Sequence, residues 1–224
     1  VPVDPGVSIS CRFYLRDKGW PQILHFHGNG EVVSDYDAIA PFILARRINL
    51  IAADFRGYGA SDGSPTFTSL GQDACRIFEA VRQELSQRGI SLDLWVMGRS
   101  MGSISALELA DHYPDQIKGL VVESGFASVT RLIKHLGLPV QGISLEPIEQ
   151  ERMSLIRRIS LPVLIIHGEL DQLVPLQEAE DLYESLGTKR KKLVVIPKAD
   201  HNNILFADGE RYFAALQKFI ESRE

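Results

Sequence analysis

Apolar residues fall along the chain in short unbroken runs separated by longer amphipathic stretches. The runs are Ile23-Leu24-His25-Phe26-His27, Leu50-Ile51-Ala52-Ala53-Asp54, Leu94-Trp95-Val96-Met97, Ile117 to Glu123, Pro162 to His167 and Lys192 to Ile196. Their length and continuity predict strands buried on both faces. A further, loosely alternating strand is predicted from Val7 to Leu15. Between the runs the period changes to that of a helix. Ser34 to Arg47 carries Ile39, Phe42, Ile43 and Arg46 at helical spacing, and Leu70 to Gln87 lines up Ala74, Ile77, Phe78, Val81 and Leu85. Ser103 to Tyr113 is helical until Pro114 stops it, and Leu176 to Leu186 and Tyr212 to Ile220 complete the set. Strands alternating with helices predict an α/β fold, a mostly parallel sheet of about seven strands covered by helices on both faces. Residues 1–224 read as one domain. The stretch 127–160 is too long for a simple connection. It holds Val129, Leu132, Ile133 and Leu136 at helical spacing, a break at Gly137-Leu138-Pro139, and a second helix from Ile148 to Ile159. We expect it to form a small helical cap over the strand ends.

Composition narrows the class. The 224 residues are 45% hydrophobic and 24% charged, ordinary globular values, and the net charge of -5 with interspersed signs gives no nucleic-acid footprint. The longest basic run, Lys189 to Lys192, reads as a solvated turn before the last strand. No stretch approaches the ~20 apolar residues of a membrane span. The chain starts with Val and shows no charged-then-apolar leader. Cys11 and Cys75 lie far apart without metal-ligand spacing and are expected to be free thiols. These features lead us to expect a cytoplasmic protein, a monomer or weak dimer, with no metal and no cofactor.

Ligands on parallel sheets bind beyond the C-terminal strand ends. The polar, Gly-rich breaks sit at those ends: Gly28-Asn29-Gly30, the loop after Asp54, Ser100, Glu169 to Asp171, and His201. Gly98-Arg99-Ser100-Met101-Gly102, between a strand and a helix, has the pattern of a nucleophile elbow. Its glycines suit a strained turn pressed against neighbouring strands, and the helix N-terminus offers N–H groups to a developing oxyanion. A serine needs a base. Of the six histidines, His25 lies within a strand, His112 near a helix end and His135 in the cap, while His27 and His167 each precede a glycine at a strand end. His201, in the polar loop after the last strand, is the candidate base. The candidate acid is Asp171, with Glu169, Asp200 and Glu123 as rivals. The backbone N–H groups of Met101 and Asn29 are the expected oxyanion donors, and Gly28 and Gly30 let the Asn29 loop approach a substrate carbonyl. The Asn29 amide itself suits capping or bracing.

Four motifs now stand in order: His27-Gly28-Asn29-Gly30, Asp54 to Ser61 (Asp-x-Arg-Gly-Tyr-Gly-x-Ser), Gly98 to Gly102, and His167 to Pro175 (His-Gly-x-x-Asp-x-x-Val-Pro). With them the chain resembles the α/β-hydrolase superfamily of serine hydrolases over nearly its whole length. The resemblance implies a triad of Ser100, Asp171 and His201, with Met101 and Asn29 at the oxyanion hole. Relatives with these motifs include esterases, acyl-protein thioesterases and peptidases. The expected activity is therefore hydrolysis of a small-molecule carboxylic ester or thioester through an acyl-enzyme. A peptidase or amidase, and a non-catalytic ligand-binding protein, are the alternatives. Leu132 and Leu136 are expected to line an apolar acyl pocket. Arg99 departs from the smaller or uncharged residue that relatives often carry before the nucleophile; it suits an anionic substrate group, an acidic loop residue such as Glu31, or a brace behind the elbow. Arg56 or Asp54 is expected to tie loops together.

Overall fold

The computed structural model describes residues 1–137 and 144–222. β1 (Pro2–Asp4) and β2 (Val7–Ser8) pair as a small antiparallel hairpin apart from the main sheet. The main sheet comprises β3 (Cys11–Tyr14), β4 (Gln22–Phe26), β5 (Asn49–Ala53), β6 (Leu94–Arg99), β7 (Leu120–Glu123), β8 (Val163–Gly168) and β9 (Lys191–Ile196). Their spatial order is β3-β5-β4-β6-β7-β8-β9, with β3 antiparallel to β5 and every other pair parallel. The helices are α1 (Ala40–Leu44), α2 (Phe67–Gln87), α3 (Ser103–His112), α4 (Val129–His135), α5 (Glu146–Arg158), α6 (Leu176–Ser185) and α7 (Ile204–Glu221). The chain thus has the seven-stranded, mostly parallel α/β architecture that its pattern predicts.

The strand period of two builds both layers. Leu24, Phe26, Val96, Val122 and Ile165 face one side, where Ala74, Ile77 and Phe78 of α2 and Ala106 and Leu107 of α3 cover them. Ile23, Leu50, Trp95, Val121 and Leu164 face the other, under Ile43 of α1 and Tyr212, Phe213 and Leu216 of α7. Uninterrupted apolar runs are what two covered faces require.

Several elements depart from the sequence pattern, each for a local reason. The strand predicted from Val7 to Leu15 is divided, because the backbone between β2 and β3 bonds elsewhere: Ile9 N donates to Val1 O (2.7 Å) and Ser10 N to Ser61 Oγ (2.9 Å). The helix predicted from Ser34 to Arg47 becomes a 3-10 turn over Val33–Asp37 followed by α1. Pro41 lacks an N–H and, inside a continuous helix, would strike the carbonyl four residues back, so the helix restarts there. α7 begins at Ile204, well before the predicted Tyr212, and kinks at Asp208, whose Oδ1 accepts from Arg211 N (3.0 Å). The last strand, expected from Lys192, begins one residue earlier, so Lys191 lies within β9 rather than in the turn. Lys191 Nζ donates to Tyr183 O (2.6 Å) and Leu186 O (3.2 Å), a cation at the C-terminal end of α6. α5 packs against α3 and α6 as an ordinary crossover helix does. The break read at Gly137-Leu138-Pro139 falls largely outside the described residues.

Cys11 and Cys75 are unbridged, and burial pushes both thiols up to about 11. Among the described residues no helix is long and apolar enough to cross a membrane.

Arg56 fastens the N-terminal hairpin. Its guanidinium donates twice to Asp73 of α2 (2.6 and 2.7 Å) and once to Asp4 of β1 (2.6 Å). A lysine keeps the charge but cannot reproduce this fork. Arg56→Lys is therefore expected to speed amide exchange at Ile9 and Asp62, which close the hairpin onto its neighbours, while amides of β6 and β7 stay as protected as before. Unchanged exchange at Ile9 and Asp62 would contradict the assignment.

Candidate active site

The end of β6 dictates the site's centre. Ser100 has φ of +51°, a left-handed conformation costly for a residue with a Cβ. Its neighbours show why the strain is held. A Cβ on Gly98 would collide with the Gly102 carbonyl, and one on Gly102 with the carbonyl of Phe26 at the end of β4. Two glycines therefore let the turn close on itself and against β4. A 3-10 turn over Ser100–Gly102 then runs straight into α3.

His201 reaches this serine. Its Nε2 lies 3.0 Å from Ser100 Oγ and accepts the hydroxyl proton, while Nδ1–H donates to Asp171 Oδ2 at 2.7 Å. The loop after β8 fixes the carboxylate, whose Oδ1 accepts from Leu173 N (3.0 Å) and Val174 N (2.8 Å). The rival acids are engaged elsewhere. Glu169 accepts from Lys198 N (2.9 Å), Asp200 accepts from Asn202 N and Asn203 N, and Glu123 is bonded to Arg99 and Tyr212. Four of the other five histidines are engaged too: His27 contacts Gly28 O and Asp54, His167 contacts Val174 O, His135 contacts Gln172 O and His112 contacts Glu108 O, while His25 lies buried without a partner among the described residues. A hydroxyl, an imidazole and a buried carboxylate linked in this way can pass the hydroxyl proton to the ring and steady the resulting imidazolium.

The loop after β4 flanks the elbow. His27 and Val33 N both bind Asp54 Oδ1 (3.1 and 2.8 Å), so Asp54 anchors the two ends of this loop. Gly28 is buried and its N–H donates to Glu31 Oε2 (2.7 Å), and Arg99 Nη1 fills the space where a Cβ would stand. Gly30 turns the chain at φ +81°. Asn29 is exposed, and its side-chain oxygen accepts from Tyr58 O–H (2.5 Å), a brace to the loop after β5. Among the described residues no group accepts from the backbone N–H of Asn29. Met101, half-buried, is the middle residue of the Ser100–Gly102 turn.

Arg99 binds the site together from behind. Nε donates to Glu123 (3.2 Å), Nη1 to Glu31 (2.5 Å), and Nη2 to the His201 carbonyl (2.7 Å) and to Asn202 Oδ1 (3.0 Å). The residue before the serine thus holds the loop carrying His201 and, through Glu31, the loop carrying Gly28. Tyr36 and Tyr212 donate to the same carboxylates, Glu31 at 3.0 Å and Glu123 at 2.6 Å. Burial raises the Glu123 pKa despite the adjoining guanidinium. Glu123 and Tyr212 escape a reading of motifs. The available signal was an acidic residue closing the buried run next to the one that Arg99 closes; in the sheet the two are partners in register.

The apolar residues read as pocket lining lie on another side. Leu132 and Ile133 pack on Phe126, Val129 and Val174, together with Ile104 from the first turn of α3. Leu136 is 42% exposed. This patch therefore adjoins both the elbow helix and the loop of Asp171. Among the described residues no three His, Cys, Asp or Glu side chains converge as a metal site requires.

A mostly parallel seven-stranded sheet with a glycine-flanked serine at the end of a central strand defines the class as the α/β hydrolases. Within it, residues 21–147 and 148–206 match the family described as serine aminopeptidase, S33, and the chain belongs to that family. Among curated relatives, the YfhR protein of Salmonella typhi is 31% identical, the match spanning 88% of this chain and 69% of the relative. Protein bem46 of Schizosaccharomyces pombe is 30% identical over 91% of this chain and 68% of its own. In structure the chain is similar to a monoacylglycerol lipase from Paleococcus ferrophilus, with a TM-score of 0.74, 19% identity, and coverage of 97% of this chain and 100% of that one.

Two outcomes follow from the geometry. Gly102→Ala forces a methyl group onto the Phe26 carbonyl, so it should lower the melting temperature by several degrees, whereas Ala→Gly changes on exposed helix faces would shift it far less; a Gly102→Ala protein as stable as the parent would refute the steric account. Stability should also fall on acidification. Burial holds His25 well below 6.5 and lowers His167 as well. The unfolded chain binds their protons first, so each contribution is complete above 6.5 and is lost as pH falls, by up to about 1.4 kcal/mol per pH unit per histidine. Glu123, with its raised value, acts in the opposite sense at lower pH. Denaturant titrations from about pH 7 to about pH 5 should give a shallower slope for His25→Phe than for the parent; equal slopes would remove His25 from the account.

Proposed function

We propose that the protein is a serine hydrolase that cleaves a carboxylic ester or thioester of a small molecule through an acyl-enzyme. One observation carries this reading: Ser100 Oγ, His201 and Asp171 form a continuous hydrogen-bonded chain of 3.0 and 2.7 Å at a strained elbow. His201 takes the serine proton as Oγ attacks the acyl carbon. Asp171 holds the ring in the tautomer that accepts it. The backbone N–H groups of Met101 and Asn29 receive the oxyanion. His201 then gives its proton to the leaving alcohol or thiol, and activates the water that releases the acid.

The apolar patch of Leu132, Ile133 and Ile104 beside the elbow supports an apolar acyl group. Leu132 and Ile133 belong to the small cap proposed to lie over the strand ends, and they meet Ile104 of α3 there. That a similar fold occurs in a monoacylglycerol lipase agrees with this substrate class. The family's description as serine aminopeptidases favours amide cleavage as a second reading. Against it, Glu31 and Glu123, the carboxylates adjoining the nucleophile's strand, are both taken up by Arg99 and so are not free to hold a substrate ammonium. Two unbridged cysteines suit a reducing compartment, and the proposal includes the cytoplasm as the site of action.

A fluorophosphonate probe should label the parent protein and leave Ser100→Ala unlabelled. Asp171→Asn should fold normally and lose on the order of 10⁴-fold in kcat on the best p-nitrophenyl ester of a chain-length series. Faster turnover of aminoacyl anilides than of any ester would transfer the assignment to the peptidase reading. Equal labelling of parent and Ser100→Ala would end both.

A further inference from the structure

A cavity lies beside Arg99. It has a volume of about 630 Å³ and opens between the Val33–Asp37 turn with α1 and the first half of α7. His201 and Asn202 are among its lining residues, while Ser100 and Met101 are not. Its size falls within the range of small-molecule sites, ~300–1,000 Å³. The walls are apolar, with Ile39 and Phe42 facing Leu205 and Phe213. The floor holds His25, which is 1% exposed and has no protein partner among the described residues for either ring nitrogen. Tyr36 lies against the ring at 4.4 Å but spends its hydroxyl on Glu31. A buried polar side chain without a partner is uncommon and costly, and a ligand that completes it gains what the free protein forgoes.

We propose that this cavity binds a neutral, hydroxyl-bearing amphiphile such as a medium-chain alcohol, with its chain between α1 and α7 and its hydroxyl on His25. The head group follows from the charges. The carboxylates and the guanidinium at the floor already pair with one another: Arg99 with Glu31 and Glu123, and Tyr212 with Glu123. What is left unmatched is one neutral imidazole, a single donor and a single acceptor, which is the complement of a hydroxyl. A fatty carboxylate would meet Asp35 and Glu210 at the rim against Arg46 alone. An ammonium would have to leave water for a floor whose carboxylates are already bonded. The cavity shares His201 with the candidate triad as a lining residue, but its open polar partner is His25, so the proposal does not rest on the hydrolase reading.

The test titrates 1-octanol, octanoate and octylamine into the full chain labelled with ¹⁵N in its histidines, and follows the imidazole signals. Octanol should shift His25 saturably, with octanoate and octylamine weaker by about tenfold or more. His25→Leu should weaken octanol binding by about tenfold, the factor that one good hydrogen bond carries. Leu205→Trp, which fills the cavity from α7, should abolish the His25 shift. His25 signals unmoved up to the solubility of octanol would overturn the proposal. So would equal binding of octanoate or octylamine, a shift that survives in Leu205→Trp, or movement of His201 alone. The comparison of the three ligands needs only the parent protein, so it decides the matter even if a variant fails to fold.

Discussion

The contact on which the site depends is between two backbones. β6 and β4 are neighbours in register, with Phe26 opposite Gly98, and the turn after β6 comes back against the carbonyls at the end of β4. No side chain fits between them. That closeness forces glycine at 102, the fold-back of the turn onto its own strand forces it at 98, and between them stands the left-handed Ser100. It also brings Gly102, the residue after Met101, against the carbonyl of His27, where the loop to Gly30 begins. The strain at Ser100 persists because the sheet on one side and α3 on the other leave the backbone no relaxed alternative.

Behind this contact stands a buried ionic group that closer packing alone would not call for. Arg99 faces two carboxylates, and each of those is also bonded by a tyrosine. Such arrangements gain little net stability over apolar packing, because desolvation offsets most of the attraction, but losing one member leaves the others buried and unpaired. The raised pKa of Glu123 expresses the same balance: burial outweighs the guanidinium next to it. Its contribution is geometric. One guanidinium fork links the strand ahead of Ser100 to the loops on either side, so the spacing of Ser100, His201 and the His27–Gly30 loop is set by a rigid planar group.

Most of the sheet was legible in the sequence because both its faces are covered. Runs such as Leu94 to Met97 cannot be mistaken for alternating strands. Ser100, His201 and Asp171 were legible as candidates because each sits at a polar break beyond a strand end, and of the four acids weighed it is Asp171 that hydrogen-bonds His201, not Glu169, Asp200 or Glu123. What escaped has a common cause. The β1–β2 hairpin depends on hydrogen bonds to residues some fifty positions away, as when Ser8 N meets Asp62 and Ser10 N meets Ser61. The early start of α7 is hidden by the kink at Asp208, which interrupts the helical period. The pairing of Arg99 with Glu123 needs the strand order, which no local pattern contains.

The basic run at Lys189 to Lys192 bears on how copies of this chain meet. β9 is an outer strand of the sheet, with one side of its backbone free to pair. An exposed flat edge of this kind is a template for sheet-to-sheet aggregation, which natural proteins suppress with charge. Here Lys192 extends into solvent from the strand itself and Lys191 is drawn across to the end of α6. A second copy approaching along this edge would set like charges side by side. What reads in the sequence as a solvated stretch therefore puts repulsion along an edge whose backbone would otherwise invite strand addition.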